Sequence, residues 1–475
     1  MSVRAASARK RSIVPALAAC VLLCATMGAR AETIGSALVK IYINNPDLNE
    51  RRASVRVRDE DVPKAAAGNR PRASLSLNGG PQRTGTRQPA GFDAFHNRAF
   101  VDDKYSGLPK TTSVSATLPL FDGFHTKHAV AQAESGVFAA RADLLQTEQQ
   151  ALLSGGTAYM NVLRDTAVSN LRKNNIAVLA EQLRVTRDRQ LFGEVTVTDV
   201  SQAEAALAQA RSDYTAAQGA LENSIANYVQ IIGDEPKRLE PAAPLERLLP
   251  KSREAAIEAA LSEHPGVIAA LHQVDAAQSA VHVAESALSP TLSLGAQVYQ
   301  QYDSYLGYPG TRQLSGQVFG QVNVPLYQGG GEYAATRQAK EQLGQARIHV
   351  DAQRNSVRAA VVQAYSQFTT ARAAIVFNRT AVKAAETALR GVRDEAAFGQ
   401  RTTYDVLKAQ QDLLNARVNL VTAQRDMVVG SYAVLAAIGR LSVKSLELDA
   451  PAYDPAVHFD QIKDNWFGLS IPDGL

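Results

Sequence analysis

Residues 192–221 read FGEVTVTDVSQAEAALAQARSDYTAAQGAL, and residues 398–427 read FGQRTTYDVLKAQQDLLNARVNLVTAQRDM. In the first stretch Val200, Ala203, Leu207, Ala210, Tyr214, Ala217 and Leu221 stand at spacings of 3-4-3-4-3-4, and Val406, Ala409, Leu413, Ala416, Leu420, Ala423 and Met427 repeat that spacing in the second. A heptad seam of this length packs one long helix against another. Alanine at every second seam position lets backbones approach closely, which favours tightly packed antiparallel helices over an ordinary amphipathic core helix. Residues 124–191 and their match 330–397 are also helical in pattern, the former without proline. At about 1.5 Å per residue each would reach roughly 100 Å, far beyond a globular helix.

The two stretches are copies. Ala158-Tyr159 matches Ala364-Tyr365, Phe192-Gly193 matches Phe398-Gly399, Asp199-Val200 matches Asp405-Val406, and Ile232-Gly233 matches Ile438-Gly439, every pair 206 residues apart. Upstream, Pro46 matches Pro265 and Pro71 matches Pro290 at an offset of 219; the shift of 13 is a longer loop in the first half, roughly 84–110 against 303–312. Constant offsets broken only at a loop indicate duplication. The expected organisation is a signal peptide (1–31), a first repeat (32–233), a linker (234–251), a second repeat (252–448) and a C-terminal tail (449–475). Each repeat reads helix, strand, loop, strand, long helix, tight turn, helix.

The strands are four segments of alternating character: Leu75 and Leu77 oppose Ser74, Ser76 and Asn78; Val114, Ala116, Leu118 and Leu120 oppose Ser113, Ser115 and Thr117; Leu292, Leu294, Ala296 and Val298 oppose Thr291, Ser293 and Gln297; Val318, Val322, Val324 and Leu326 oppose Gln317, Gln321 and Asn323. Period 2 marks strands with one apolar and one polar face. The near absence of charge on either face suits a transmembrane barrel, lipid outside and a wet lumen within, better than a small soluble sheet. Prolines stand where the two textures meet: Pro71 and Pro290 before the strands, Pro119 and Pro325 after them. Proline breaks the helical ladder and fixes φ, as a helix-to-strand change requires. Four strands left open in lipid would leave backbone groups unpaired, so the chain must oligomerise. A dimer gives eight strands and a trimer twelve; an eight-stranded interior is filled by side chains, so a conducting barrel points to the trimer.

Composition narrows the function. The chain carries +4, but residues 1–31 hold five Lys or Arg and no acid, leaving 45 basic against 46 acidic residues, a net −1. That leaves no polybasic footprint for nucleic acid. Arg4, Arg9, Lys10 and Arg11, the apolar run from Ile13 to Met27, and Ala29-Arg30-Ala31 form a secretory signal with an A-x-A cleavage site. Leu17-Ala18-Ala19-Cys20 resembles a lipoprotein box, but the run before Cys20 would be very short, so cleavage after Ala31 is expected. Cys20 and Cys24 are the only cysteines, and removing the signal excludes disulfides, thiolate metal sites and cysteine nucleophiles together. His264, His272 and His282 are spaced too far apart for one metal site and read as solvated helix positions. Gly329-Gly330-Gly331 lacks the Lys-Ser/Thr of a phosphate loop. No nucleophile–base pairing stands out; neither an enzyme nor a cofactor is expected. Tyr299, Tyr302, Tyr305 and Tyr308 suit either an interfacial aromatic girdle or packing within a loop.

Taken together, Asn45-Pro46-Asp47-Leu48, the duplicated plan of strand pair and helical hairpin, Leu326-Tyr327-Gln328-Gly329-Gly330, Phe398-Gly399-Gln400-Arg401-Thr402 and Asp405-Val406-Leu407 resemble the TolC family of outer-membrane efflux and type I secretion proteins. The resemblance covers essentially the whole mature chain. It implies a mostly α fold with a small β part: a homotrimer whose 12-stranded barrel lies in outer-membrane lipid of a Gram-negative bacterium and continues into a 12-helix periplasmic tunnel. It further implies a partner: an inner-membrane RND or ABC transporter docking through a periplasmic adaptor.

The resemblance also assigns the hairpin tips. It implies a gate in which Arg401 of the second tip bonds Thr198 and Asp199 of the first. The alternative is a plain surface ion pair. Asp405 is expected to face the lumen, where three copies would form a cation-selecting acidic ring. The family often has a second acid three residues later, where this chain has Lys408, and a gate tyrosine where it has Ala396. Fewer gate bonds and a single acidic ring, partly offset by Lys408, follow. Gly193 and Gly399 suit tight turns, and in the family such tips accept the adaptor. The rival reading is a non-conducting envelope protein, a barrel-anchored spacer or adhesin, which has no need of two tips bearing Asp199, Arg401 and Asp405.

Overall fold

The computed structural model of the chain describes residues 31–92, 94–303 and 310–472. Residues 1–30 of the expected signal, including Cys20, lie outside the described residues, as do Tyr305 and Tyr308. The first half runs α1 (Ile34–Asn44), α2 (Pro46–Asp59), α3 (Asp61–Ala66), β1 (Arg72–Gly79), β2 (Gln82–Phe92), β3 (Arg98–Gly107), β4 (Lys110–Phe121), α4 (His125–Leu191) and α5 (Val197–Ile232). The second runs α6 (Arg253–Glu263), α7 (Pro265–Ser286), β5 (Thr291–Tyr302), β6 (Arg312–Asn323), α8 (Gly331–Ala397) and α9 (Thr403–Ile438), followed by a short α10 (Pro455–Ile462).

The duplication extends to helix ends. Helices α4 and α8 each have 67 residues, α5 and α9 each have 36, and all four pairs of boundaries differ by 206. Each long helix follows two residues of left-handed backbone, Gly123-Phe124 in one repeat and Gly329-Gly330 in the other, and the connections are short, three residues between β4 and α4 and seven between β6 and α8. Asn45 and His264 cap α2 and α7, whose first residues are Pro46 and Pro265; proline is pre-set for that position and lacks the N–H a helix start cannot use.

Strands β1, β4, β5 and β6 form one antiparallel sheet in that order. Register aligns Leu75 with Val114, Val114 with Val298 and Ala296 with Val318, giving one apolar face. The other face carries Ser74, Ser76, Ser113, Ser115, Gln297 and Gln317, with hydroxyl pairs Ser74–Ser115 at 2.8 Å and Ser76–Ser113 at 2.6 Å. The outer edges of β1 and β6 have no partner strand among the described residues. Pro71 and Pro290 directly precede β1 and β5, Pro119 sits at a register shift near the end of β4, and Pro325 lies two residues past β6.

The stretch expected as a loop, roughly 84–110, is instead largely a second hairpin. Strands β2 and β3 pair with each other, and nearly every residue of both is exposed. The ribbon buries no face, so it lacks the apolar alternation that marks the other strands. Tyr105 is its one buried large side chain, and the hydroxyl donates to the Asp303 carbonyl beyond β5. The chain thus has six strands among its described residues, four of them in the sheet.

Near the sheet, the α2–α3 stretch, α4, α7 and α8 lie side by side; farther away α5, α4, α9 and α8 do so. The seam forms as patterned: Val200, Ala203, Leu207 and Ala210 of α5 bury against Leu179 and Leu183 of α4. Burying each leucine there contributes about 2 kcal/mol. The largest core lies midway, where Leu38, Ile41 and Leu48 pack with Leu152, Tyr159, Tyr432 and Leu435. The Tyr159 hydroxyl stands 2.7 Å from the carbonyl oxygens of both Glu32 and Glu240, tying the start of the first repeat and the linker that follows it to α4.

Helices α5 and α9 end at the equivalent glycines Gly233 (φ +93°) and Gly439 (φ +97°). A Cβ at Gly233 would meet nothing within 4 Å, whereas one at Gly439 would lie 2.8 Å from the His264 Cα and 2.9 Å from the Pro265 Cδ. Gly233→Ala should therefore cost only the left-handed strain, about 1–2 kcal/mol. Gly439→Ala adds displacement of the α6–α7 junction and should lower the thermal midpoint clearly more, measured by circular dichroism in detergent. Equal shifts would show that this close approach contributes nothing.

Candidate functional site at the hairpin tips

Both hairpins turn in the same way. Gly193 and Gly399 share φ +75°, and their amides close the turns onto the carbonyls of Gln190 (2.9 Å) and Ala396 (3.2 Å). Three residues later Thr196 and Thr402 start the return helices. The Thr196 Oγ1 accepts from the Asp199 amide at 3.3 Å, while the Asp199 Oδ2 accepts from the Thr196 amide at 3.0 Å and hydroxyl at 2.7 Å. Thr402 and Asp405 repeat this arrangement at 3.2, 3.1 and 2.9 Å. These are capping boxes, which satisfy helix-end amides reciprocally. Asp199 and Asp405 thus have a structural task beyond the roles expected of them, legible in the Thr-x-x-Asp spacing of both tips.

The caps also set charge. The Thr196 hydroxyl, then its amide, holds the Asp199 carboxyl below the ordinary carboxylate value, and the buried Thr403 of the second tip adds to this. The Thr402 amide, then its hydroxyl, lowers Asp405, with Arg401 and Lys408 contributing. Both aspartates are therefore ionised at neutral pH. The tips also touch through Leu407 of α9, which packs into the α4–α5 seam.

Within one chain the structure does not bring Arg401 onto Thr198 and Asp199. The Arg401 Nε instead donates to Glu395 Oε2 at 2.8 Å, across its own turn, and this carboxylate raises its pKa. Glu395 is the tip residue that sequence reasoning missed. Its counterpart 206 residues earlier is Arg189, which pairs with Glu194 at 3.0 Å across the first turn. The two tips thus carry ion pairs of opposite polarity, with Arg189 and Glu395 at equivalent positions and their partners Glu194 and Arg401 one position apart. Thr198 is exposed, and Lys408 lies one turn beyond Asp405. Leu191, Phe192 and Phe398 are exposed beside the turn glycines, and a Cβ at either glycine would meet open space.

The histidines are not simply solvated. His264 caps α7, its Nδ1 3.1 Å from the Gly266 amide; the His272 ring lies 5.4 Å from that of Phe138; and the His282 ring lies 4.8 Å from that of His128, tilted by 32°. Tyr299 and Tyr302 are half-buried on β5, with the Arg312 guanidinium 4.9 Å from the Tyr302 ring.

A family model described as outer membrane efflux protein matches residues 37–234 and 256–440, one segment per repeat. The chain belongs to the outer membrane efflux protein family. Outer membrane efflux protein BepC of Brucella suis is 41% identical over 462 residues, spanning 96% of this chain and 97% of BepC. Outer membrane protein TolC of Escherichia coli is 27% identical over 316 residues, 63% of this chain and 64% of TolC. Among solved structures, the CmeC outer membrane channel of Campylobacter jejuni superposes with a TM-score of 0.73 at 16% identity, covering 91% of this chain and 89% of that one. The fold is thus that of an outer-membrane channel, mostly helical with a small sheet part, and the protein is an outer-membrane efflux conduit, not an enzyme.

Thr196→Ala should destabilise the first tip by about 1 kcal/mol, a roughly fivefold loss of amide protection in the first turn of α5. Asp199 is depressed in the folded state, so its share of this stability is present above the ordinary value of 3.8 and is lost as pH falls through the lower folded value. The difference between variant and parent, read as hydrogen-exchange protection factors, should accordingly be full at neutral pH and shrink in acid. A pH-independent difference would remove Asp199 from the cap's energetics.

Proposed function

We propose that three copies of the chain form one passive exit duct, closed at rest by its hairpin tips and opened when a partner docks there. The observation that carries this reading is a four-stranded sheet with two free edges above helices lying four abreast at both levels. Three copies give twelve sheet strands and twelve helices throughout, and they pair both edges of every four-stranded sheet. Two copies give eight strands, whose interior side chains fill.

The gate works through Arg401. Its guanidinium is exposed and held by Glu395 in the isolated chain. In the ring, exchange of Glu395 for Thr198 and Asp199 of the neighbouring tip draws two hairpins together. Such a bond is charge-assisted and can be bidentate, yet at an exposed site it is readily released. Asp405, ionised and repeated by threefold symmetry, forms an acidic ring that favours cations, partly offset by Lys408. The open space at Gly193 and Gly399, flanked by exposed Phe192 and Phe398, receives the tips of a periplasmic adaptor serving an inner-membrane RND or ABC transporter. Energy and much of the substrate choice then lie with the transporter, and the cargo is a small molecule or a secreted protein.

Two substitutions should act in opposite directions on single-channel conductance in planar bilayers. Arg401→Ala removes the gate cation and should raise it; Glu395→Gln frees Arg401 for the neighbouring tip and should lower it or lengthen closed intervals. Unchanged conductance in both would end the gating role. The three-copy closure has a separate check, because the mature chain is free of cysteine. Single cysteines placed at Ser76 of β1 and Gln317 of β6 should crosslink between copies into a ladder that stops at three. A ladder ending at two, or continuing past three, would refute the trimer.

A further inference from the structure

Helix α10 is clamped onto α2. His458 and Asp59 are both buried, with Nδ1 and Oδ2 2.9 Å apart, and the Arg141 guanidinium lies 5.3 Å from the Phe459 ring and bonds the Pro455 carbonyl at 3.3 Å. From there the chain runs to the point where helix becomes strand. Arg70, the residue before Pro71 and β1, donates to the Asn465 carbonyl at 2.7 Å and places its guanidinium 5.0 Å from the Trp466 ring. Gly68, in the same turn, lies against Thr126 at the start of α4, so both helix–strand junctions of the first repeat share this level. There Phe121 and Phe124 are also exposed, edge to face at 5.2 Å.

Beyond Arg70 the segment exposes its large apolar side chains: Trp466 is 61% exposed, Phe467 93%, Leu469 103% and Ile471 83%. No charged residue occurs from Asn465 to Pro472. We propose that residues 465–472 are an interfacial anchor that lays Trp466, Phe467, Leu469 and Ile471 into the headgroup–acyl boundary of the periplasmic leaflet of the outer membrane. The apolar face of the sheet begins within a few residues of Arg70, at Ala73 and Leu75, so the segment is continuous with the band that meets lipid. Tryptophan and phenylalanine suit that depth, the indole because it is apolar with one polar group. Arg70 and Arg72 stand where lipid phosphates would lie, and exposed apolar residues on this scale mark an interaction surface. Through the buried His458–Asp59 contact the anchor fixes α2, and with it the helical layer, at a set depth below the bilayer.

Trp466 is the only tryptophan in the 475 residues, so intrinsic fluorescence reports on the anchor directly. The full-length assembly would be reconstituted into vesicles of phosphatidylethanolamine and phosphatidylglycerol with acyl chains brominated either near the headgroup or near the chain end. Expected is quenching several-fold stronger from the shallow bromines than from the deep ones, with little effect of aqueous iodide. Strong iodide quenching without bromolipid quenching would place the segment in water and overturn the proposal. Protection from both would place it against protein, a neighbouring copy included, and overturn it equally. Arg70→Ala should raise iodide quenching several-fold in assemblies that elute at the parent's size; no change would remove Arg70 as the tether.

Discussion

The outer edges of β1 and β6 each hold a row of backbone N–H and C=O groups with no partner strand among the described residues. In a bilayer each such group costs several kcal/mol if left unpaired. Among the described residues nothing relieves this, because the connections out of the sheet lead into helices or into the exposed β2–β3 ribbon. The duplication supplies two hairpins that pair with each other through β4 and β5, and the free edges left over are one of each kind. A β6 edge can pair with the β1 edge of another copy, so the same pairing repeats until a ring closes. Closure by rotation, rather than by a larger sheet, lets a chain of this length build a wide barrel.

The long helices inherit that geometry because only short connections separate them from the strands, three residues after β4 and seven after β6. Left-handed pairs at Gly123-Phe124 and Gly329-Gly330 turn the chain sharply, and the prolines keep helix and strand from running into one another. One helix row can then stay in step with one strand row, and the tunnel need not be rebuilt below the membrane. The short helices α2 and α7 fill the upper level beside α4 and α8, while α5 and α9 fill the lower. Two sets of elements thus give the same width at two depths.

Much of this was legible because it is periodic. The 3-4 spacing of Val200 to Leu221 marks a buried seam whatever its partner, and a constant offset of 206 exposes the duplication without knowledge of the fold. Alternation of Val114, Ala116 and Leu118 with serine and threonine marks a two-faced sheet for the same reason. The β2–β3 ribbon was not legible because it buries neither face and so has no pattern to show. Glu395 was missed for a different reason: its bond to Arg401 spans a turn rather than a helical i,i+4 step, and the resemblance had already assigned Arg401 elsewhere. The histidines of α7 were misread because spacing along one helix says nothing of Phe138 and His128 on the neighbouring one.

Duplication leaves two tips with the same backbone, and their differences therefore lie in side chains alone. Turn glycine, capping threonine and capping aspartate are retained in both, since each satisfies a requirement of the turn itself. Change falls at positions the turn does not need, among them Arg189 against Glu395, Glu194 against Gln400, Val195 against Arg401 and Gln202 against Lys408. Each tip can close an ion pair on itself, but with the polarity reversed. Identical tips placed side by side in a ring would set like charge against like. In the proposed ring, Arg401 leaves Glu395 for Asp199 of the neighbouring tip, so an internal pair is exchanged for a pair between neighbours with little change in the number of charge contacts. An exchange of that kind leaves a small free-energy difference between separated and joined tips, which is what a gate needs if docking alone is to shift it.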